Sequence, residues 1–259
     1  MSREQAKAIV QARMGSTRLF GKILKPLAGK SALWHVVDRL NRAKELKEII
    51  VATTTNQEDD VVVKFCEENG IRWFRGSEND VLDRYYQAAK AFTADPIIRI
   101  TADCPVVDPV IVDEVIEGFF AGNYDVYRLG GEFPDGLDCE CFAFWAIEDA
   151  WKVATLPSER EHVGVYPVKH PEKYRVGSYE KFSGLGHLRW TFDEEADLRF
   201  LQAIYERLYR PGTIFRTGEI LELLQREPEL MSINQGITRN EGLLKSLLED
   251  EASFNEKSL

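Results

Sequence analysis

Between Ala8 and Phe120, short apolar runs alternate with amphipathic stretches, and this alternation is what most limits the folds open to the chain. The apolar runs are Ala8 to Ala12, Glu48 to Thr53, Ile71 to Phe74 and Pro96 to Thr101. Each is too short for a helix and has too little polar alternation for a strand wet on one face, so each is expected to be a buried strand. Between them, Leu33, Val36, Val37 and Leu40 recur at helical spacing behind the N-cap candidate Ser31, giving a helix to about Leu46. Further helices are expected over Val61 to Asn69, closed by Asn69-Gly70, over Asp80 to Phe92, and from Pro109 to about Phe120. Repeated strand–helix units with buried strands predict an α/β three-layer sandwich with a mainly parallel sheet. Ligands of such sheets sit at the carboxyl ends of the strands. The loops Arg13 to Lys30, Thr53 to Asn56, Arg75 to Asn79 and Ala102 to Pro105 all lie at such ends and are expected to share one rim.

After Tyr124 the pattern becomes mixed. Asp138 to Phe142 alternates like a strand with one polar face, Phe144 to Ala154 and Ser158 to His170 read as helices, and Tyr174 to Glu180 and His187 to Phe192 read as strands. Helices follow at Glu194 to Tyr209, Thr217 to Arg226 and Arg239 to Glu249, with a polar, frayed tail expected from Glu251 to Leu259. No Gly/Ser-rich linker or internal repeat divides the 259 residues, so one domain is expected, with a smaller mixed lobe appended to the parallel half.

A formal net charge of −10 argues against a general nucleic-acid surface or an anionic-membrane surface. Its distribution is uneven: residues 1–50 carry +7 and the remainder −17. Between Arg13 and Lys30 stand five cations and no acid, which reads either as a solvated basic face or as an anion site. The four cysteines form no C-x-x-C pair and read as small buried hydrophobes. The N-terminal residues lack a signal-type apolar segment and no run of 18 apolar residues occurs, so a soluble cytoplasmic protein without membrane partners is expected.

The basic loop reads Gln11-Ala12-Arg13-Met14-Gly15-Ser16-Thr17-Arg18-Leu19-Phe20-Gly21-Lys22. Gly15 and Gly21 permit left-handed backbone that can turn amides toward an anion, Ser16 and Thr17 add hydroxyls, Arg13 and Arg18 add planar forks, and Lys22 adds a point charge. The spacing is neither that of a Walker A loop nor of a G-x-G-x-x-G fingerprint.

In its residues this loop resembles the N-terminal motif of the cytidylyltransferases that make CMP-activated acidic sugars, in the branch of the spore-coat polysaccharide biosynthesis protein SpsF. The resemblance continues through Arg99-Ile100-Thr101-Ala102-Asp103-Cys104-Pro105, Asp135-Gly136-Leu137-Asp138-Cys139-Glu140, Arg160-Glu161-His162-Val163 and Arg189-Trp190-Thr191-Phe192-Asp193. It implies a nucleotide-diphospho-sugar-transferase-like (Rossmann-like) fold with a nucleotide-binding half at about 1–123, an acceptor and metal half at about 124–235, and a C-terminal helix and tail at 236–259. It implies transfer of CMP from CTP to an acidic sugar, with Mg2+ held by Asp103 and Asp193. In the same resemblance Arg13, Ser16, Arg18 and Lys22 hold the triphosphate. Ala12, Gly15 and Thr17 complete the loop, Asp80 and Arg84 lie near the base and sugar, and Asp138, Glu140, His162 and Arg189 face the acceptor. Dimerisation is common among such synthetases, so a homodimer is a further expectation.

The residues also have plainer readings. Asp108 before Pro109 reads as a helix cap, and so does Asp193 when taken alone. Glu194, Glu195 and Asp197 read as first-turn acids, and Asp80 and Arg84 are one helical turn apart and could pair. Asp138 and Glu140 could face solvent from an edge strand, and His162 and Trp190 could be structural. The family usually has Pro where this chain has Phe20, which would loosen the loop and leaves open a catalytically weakened relative beside enzymes using another nucleotide or a non-sugar acceptor. No general base is identifiable.

Overall fold

The computed structural model describes residues 6–239 and 241–257, with side chains through residue 252. Its strands are β1 (Lys7–Gln11), β2 (Pro26–Leu27), β3 (Lys30–Ser31), β4 (Glu48–Thr54), β5 (Arg72–Gly76), β6 (Ile97–Thr101), β7 (Val126–Leu129), β8 (Glu140–Phe142) and β9 (Val176–Tyr179). Its helices are α1 (Ala32–Leu40), α2 (Asp60–Glu68), α3 (Val81–Ala91), α4 (Pro109–Ala121), α5 (Phe144–Val153), α6 (Pro157–Glu161), α7 (Val165–Lys169), α8 (Glu195–Leu208), α9 (Thr217–Arg226) and α10 (Glu241–Lys257). Seven strands form one sheet in the order β5-β4-β1-β6-β8-β7-β9, and β2 and β3 form a separate small hairpin. β5, β4, β1 and β6 are mutually parallel, β8 runs antiparallel to both its neighbours, and β7 and β9 are parallel to each other.

Successive residues of β1 point to opposite faces. Ala8 and Val10 pack with Leu33 and Val36 of α1 and Val112 of α4, while Ile9 packs with Leu82 and Tyr85 of α3 and Ile147 of α5. Both faces are therefore covered, giving the expected three layers. Fully burying a residue such as Ile9 contributes about 1.5–3 kcal/mol, which fixes the strand whose end carries the basic loop.

Local signals explain several boundaries. The Ser31 side chain accepts from the Trp34 amide, Asp80 from Asp83, and Asp108 from Val110, so these three residues cap α1, α3 and α4. Gly70 after α2 has φ +65°, the conformation expected of a C-cap glycine.

Other expectations are corrected. Helix α1 stops at Leu40 rather than Leu46, because the carboxylate of Asp113 takes the amides of Lys44 and Glu45. The expected helix over Ser158 to His170 is two short helices, separated where His162 leaves helical backbone (ψ 93°). The tail expected to fray is helical through Lys257, while residues 258 and 259 lie outside the described residues. His187 to Phe192 is not a strand: its β-type pairing is an isolated bridge between Asp135 and Arg189. In the mixed half, β8 pairs directly with β6 and extends the same sheet. Strand β7, to which the sequence reading assigned no element, pairs with β8 and on its other side with β9. Among the described residues no helix is long and apolar enough to cross a membrane.

Strand β8 begins only at Glu140 because the preceding residues turn. Gly136 holds φ +102°, and its amide donates to the Asp138 carboxylate at 3.0 Å. A Cβ at Gly136 would lie 2.5 Å from the amide nitrogen of Thr191, within backbone that cannot swing aside. Gly136→Ala is therefore expected to destabilise the fold by about 2–3 kcal/mol, read as a fall in Tm of about 5–10 °C. An unchanged Tm would show that the turn tolerates a side chain.

Candidate active site

The four loops do share one rim. The Met14 amide donates to Asp59 Oδ1 at 2.6 Å, and Asp59 Oδ2 accepts from both the amide and the hydroxyl of Thr54, so one buried carboxylate ties the loop after β1 to the loop after β4. Asn56 Nδ2 donates to Glu78 at 2.6 Å, and Arg75 donates to the carbonyls of Thr54 and Asn56 at 2.7 Å each, which adds the loop after β5.

Within the basic loop, Gly21 adopts φ +66° and its amide donates to the Met14 carbonyl, turning the chain into a short 3-10 turn at Lys22–Leu24. The turn sends Lys22 inward, while Phe20 is 61% exposed. The bend is thus made by Gly21 without a proline. Gly15 differs from the expectation: it has no positive φ, and a Cβ there would come closest to the mobile end of the exposed Glu58 side chain, Oε1 at 2.7 Å.

Lys22 Nζ lies 2.6 Å from Asp103 Oδ2 and 2.6 Å from Asp193 Oδ1. Burial alone would disfavour its ammonium, but the two carboxylates outweigh this and raise its pKa. Burial likewise pushes the Asp103 carboxyl up, and the Lys22 charge and hydrogen bond more than reverse the effect, so Asp103 titrates below the usual carboxylate range. The two aspartates come from segments 90 residues apart that are locked together by backbone: the Asp103 carbonyl accepts from the Phe192 amide at 2.8 Å and from the Thr191 hydroxyl at 3.2 Å.

Arg18 reaches Asp193 Oδ1 at 2.9 Å and Glu241 at 2.8 Å. Arg13 is 3.7 Å from Glu161, with both side chains more than a third exposed, a weak and easily exchanged pair. The Ser16 hydroxyl accepts from the Leu19 amide, Thr17 is exposed, and Ala12 is buried with its amide on the Ala52 carbonyl. Ala12 therefore shapes the loop, and its amide is already committed.

Around this centre the sequence-read residues have varied placements. Asp80 and Arg84 do not pair. Asp80 receives two donors from Arg160, whereas Arg84 is buried with Nη1 on the Ser77 carbonyl at 2.5 Å. Glu140 is on an interior strand, not an edge, and is held by Arg99 at 2.6 Å. Asp138 is half-buried and burial raises its pKa. The ring of His162 lies 3.3 Å from the Ser246 hydroxyl, and burial lowers its pKa. Arg189 is 9% exposed and each nitrogen of its fork is engaged: with Asp197 at 2.9 and 3.0 Å, with Asp135 at 2.9 Å and with Asp193 at 3.2 Å. The donors that an acceptor carboxylate would need are thus engaged in orienting Asp193. Trp190 is core, 1% exposed.

Sequence reasoning missed several members. Asp197, read as a first-turn acid, is completely buried and accepts from Arg189 and from the amides of Asp193 and Glu194. Asp135, held by Arg189, is pushed up to about 6 by burial and by the neighbouring Asp138 charge. Asn234 donates to the Arg189 carbonyl and to Asp197. The only signal for Asp135 was its place in the Asp-Gly-Leu-Asp run.

Among the described residues no group of three or more Asp, Glu, His or Cys is arranged to hold a metal unaided. Asp103 and Asp193 nevertheless offer two hard oxygens converging on one cationic point, now held by an ammonium. That donor set fits a Mg2+ ion whose remaining ligands are substrate phosphates and water.

A cytidylyltransferase family model matches residues 7–197, which include the basic loop, Asp103 and Asp193. The chain belongs to the cytidylyltransferase family. The enzyme is 35% identical over 231 residues to the spore coat polysaccharide biosynthesis protein SpsF of Bacillus subtilis, covering 85% of this chain and 94% of the relative. It is 35% identical over 120 residues to the 3-deoxy-manno-octulosonate cytidylyltransferase of Trichlorobacter lovleyi, covering 46% of each chain. Among solved structures, a cytidylyltransferase from Leptospira borgpetersenii superposes with a TM-score of 0.84 at 31% identity, covering 91% of this chain and 99% of the other. This cytidylyltransferase is accordingly a nucleotidyl-transferring enzyme of the nucleotidyltransferase fold type.

Proposed function

We propose that this cytidylyltransferase transfers CMP from CTP to an acidic sugar, with Mg2+ at Asp103 and Asp193, and that the activated sugar serves a surface polysaccharide. The observation that carries this reading is the convergence of Lys22, Asp103 and Asp193 on one point beside the basic loop. In the reaction an acceptor oxygen attacks the α-phosphorus of CTP, the bond to the β-phosphate oxygen breaks, pyrophosphate leaves with the electron pair, and the acceptor proton is released. Arg13 and Arg18 are partly exposed and paired only with carboxylates, so an incoming triphosphate offers them denser negative charge. Lys22 turns from the aspartates to the phosphates and stabilises charge on the leaving group. Bound magnesium would neutralise charge on the α-phosphate and on pyrophosphate. Arg189 and Asp197 keep Asp193 oriented, and the backbone bonds to the Asp103 carbonyl keep the two carboxylates in register. The acidic acceptor is supported by the likeness to an octulosonate cytidylyltransferase, and the polysaccharide role by the likeness to SpsF.

The test pairs binding with turnover. CTP with Mg2+ at a hundredfold over its Kd is expected to stabilise the protein by about 2.7 kcal/mol, or a Tm rise of about 5–10 °C, exceeding the rises with ATP, GTP and UTP. Pyrophosphate release is expected only when CTP is combined with a member of a panel containing 3-deoxy-manno-octulosonate and other 2-keto sugar acids. Turnover driven by another nucleotide in preference to CTP would overturn the cytidylyl assignment.

A further inference from the structure

We infer that Arg239 is the group that receives the carboxylate of the acceptor, an inference that rests on the acidic-sugar reading above. An acidic acceptor needs a cation with uncommitted donors near the transfer centre, and the cations expected there are engaged. Lys22 sits between Asp103 and Asp193, and Arg99 is held by Glu140. Arg189 directs four of its five donors to Asp135, Asp193 and Asp197, and neither its Nε–Nη2 edge nor its Nη1–Nη2 edge is left with two open nitrogens.

Arg239 differs. Its Nη1 donates to the Phe133 carbonyl at 2.8 Å, and its guanidinium lies over the Phe133 ring at 4.4 Å. These two contacts fix the plane of the fork. The opposite edge, formed by Nε and Nη2, makes no hydrogen bond among the described residues, and Nε stands 3.9 Å from Asp135 Oδ1, beyond bonding distance. The side chain is 28% exposed, so that edge is reachable from solvent. A planar fork held by stacking, with its two-nitrogen edge open, is the geometry that takes a carboxylate bidentately.

Its position suits the acceptor. Asp135 links Arg239 to Arg189, and Arg189 in turn touches Asp193 at the transfer centre. The half-buried Asp135 and Asp138 on the intervening turn are acceptors for sugar hydroxyls. A sugar acid laid along this turn would thus place its carboxylate on Arg239, its hydroxyls on the aspartates and its attacking oxygen toward Asp193. Arg239 also lies beyond residues 7–197, the part matched by the family model, as suits a residue that selects the acceptor rather than serving transfer common to the family.

The experiment uses the full chain as wild type, Arg239→Met and Arg239→Lys. The probes are the sugar acid most active in the panel, or 3-deoxy-manno-octulosonate if none turns over, together with its carboxamide. Calorimetry with the acid is expected to show binding weakened about 10–100-fold in Arg239→Met, with a smaller loss in Arg239→Lys, which keeps the charge without the fork. In turnover the acceptor KM should rise by a similar factor with kcat within about threefold, and discrimination between acid and amide should collapse. The Tm rise with CTP should be unchanged, which also reports that the variants fold. Equal acid affinity in wild type and Arg239→Met, or no binding of any panel acid to wild type, would overturn the inference. Arg239-dependent acid binding without pyrophosphate release from CTP would overturn the proposed reaction and leave the role of Arg239 standing.

Discussion

Asp103→Asn is expected to lower kcat by about 10³-fold, the scale of several kcal/mol of charge stabilisation, while leaving the fold intact. The substitution keeps shape and hydrogen-bonding capacity but removes the negative charge. The contacts that tie this segment to residues 191–192 use the Asp103 carbonyl, not its carboxylate, so they persist in the variant. Lys22 also retains Asp193 at 2.6 Å. What is lost is one of two anionic oxygens converging on the cation point. Stability should change modestly and in a defined window. The Asp103 pKa lies below its ordinary value of 3.8 in the folded protein, so its charge stabilises the fold above that value. The stability difference between wild type and Asp103→Asn should be present at neutral pH and vanish as pH falls through the depressed pKa. Activity within tenfold of wild type in the variant would remove Asp103 from the role assigned to it.

Lys22→Met should act in two directions at once. Turnover should fall about 10²–10³-fold, as for loss of one preorganised donor to developing charge. Yet Mn2+, used as a probe in the absence of nucleotide, should bind at least about tenfold more tightly. The Lys22 ammonium holds the place between the two carboxylates, and its raised pKa keeps it charged, so a divalent cation entering the empty enzyme must compete with it. Unit charges about 4 Å apart still interact by about 4 kcal/mol at an effective dielectric of 20, so competition of this kind is not a small effect. Under the proposed reaction the triphosphate would relieve it by drawing Lys22 away, which would make metal and nucleotide binding mutually reinforcing. Without metal the variant should be about 1–3 kcal/mol less stable, because two half-buried carboxylates then face each other, and Mn2+ should restore the loss. Unchanged Mn2+ affinity by electron paramagnetic resonance titration would contradict the competition.

The elements and residues that sequence made legible share a physical trait: their signal is local. Strands β1, β4 and β6 are apolar runs because both faces are covered, whereas β5, expected from Ile71 to Phe74 to be a buried strand, lies at the sheet edge with Arg72 and Trp73 exposed; the Ser31, Asp80 and Asp108 caps are read from a residue and its own next turn. Lys22, Asp103 and Asp193 stand out because each follows a strand-like run within a motif. The misreadings come from distant pairings. Leu188, Trp190 and Phe192 alternate with polar residues at strand period, but Arg189 and Thr191 between them are buried as well, and the backbone spends its bonds on Asp135 and Asp103 rather than on a ladder. Arg189 resembles a free acceptor cation until Asp135, 54 residues earlier, and the buried Asp197 claim its fork. Arg239 has no local pattern at all; only the fold brings it over Phe133, 106 residues away. At Phe20 the family's usual proline is absent, and the bend that follows is made at Gly21, with φ +66°.

The most direct test of the transfer reaction follows the α-phosphorus. The full chain is incubated with CTP isotopically labelled at that atom, Mg2+ and the panel of 2-keto sugar acids, and the products are separated by mass and 31P resonance. The account predicts the label in a phosphodiester joining cytidine to the sugar acid, with unlabelled pyrophosphate formed in equal amount and neither product made by Asp103→Asn above about a thousandth of the wild-type rate. Label recovered in CTP, CDP or free CMP, with no sugar-linked product from any acid in the panel, would contradict it.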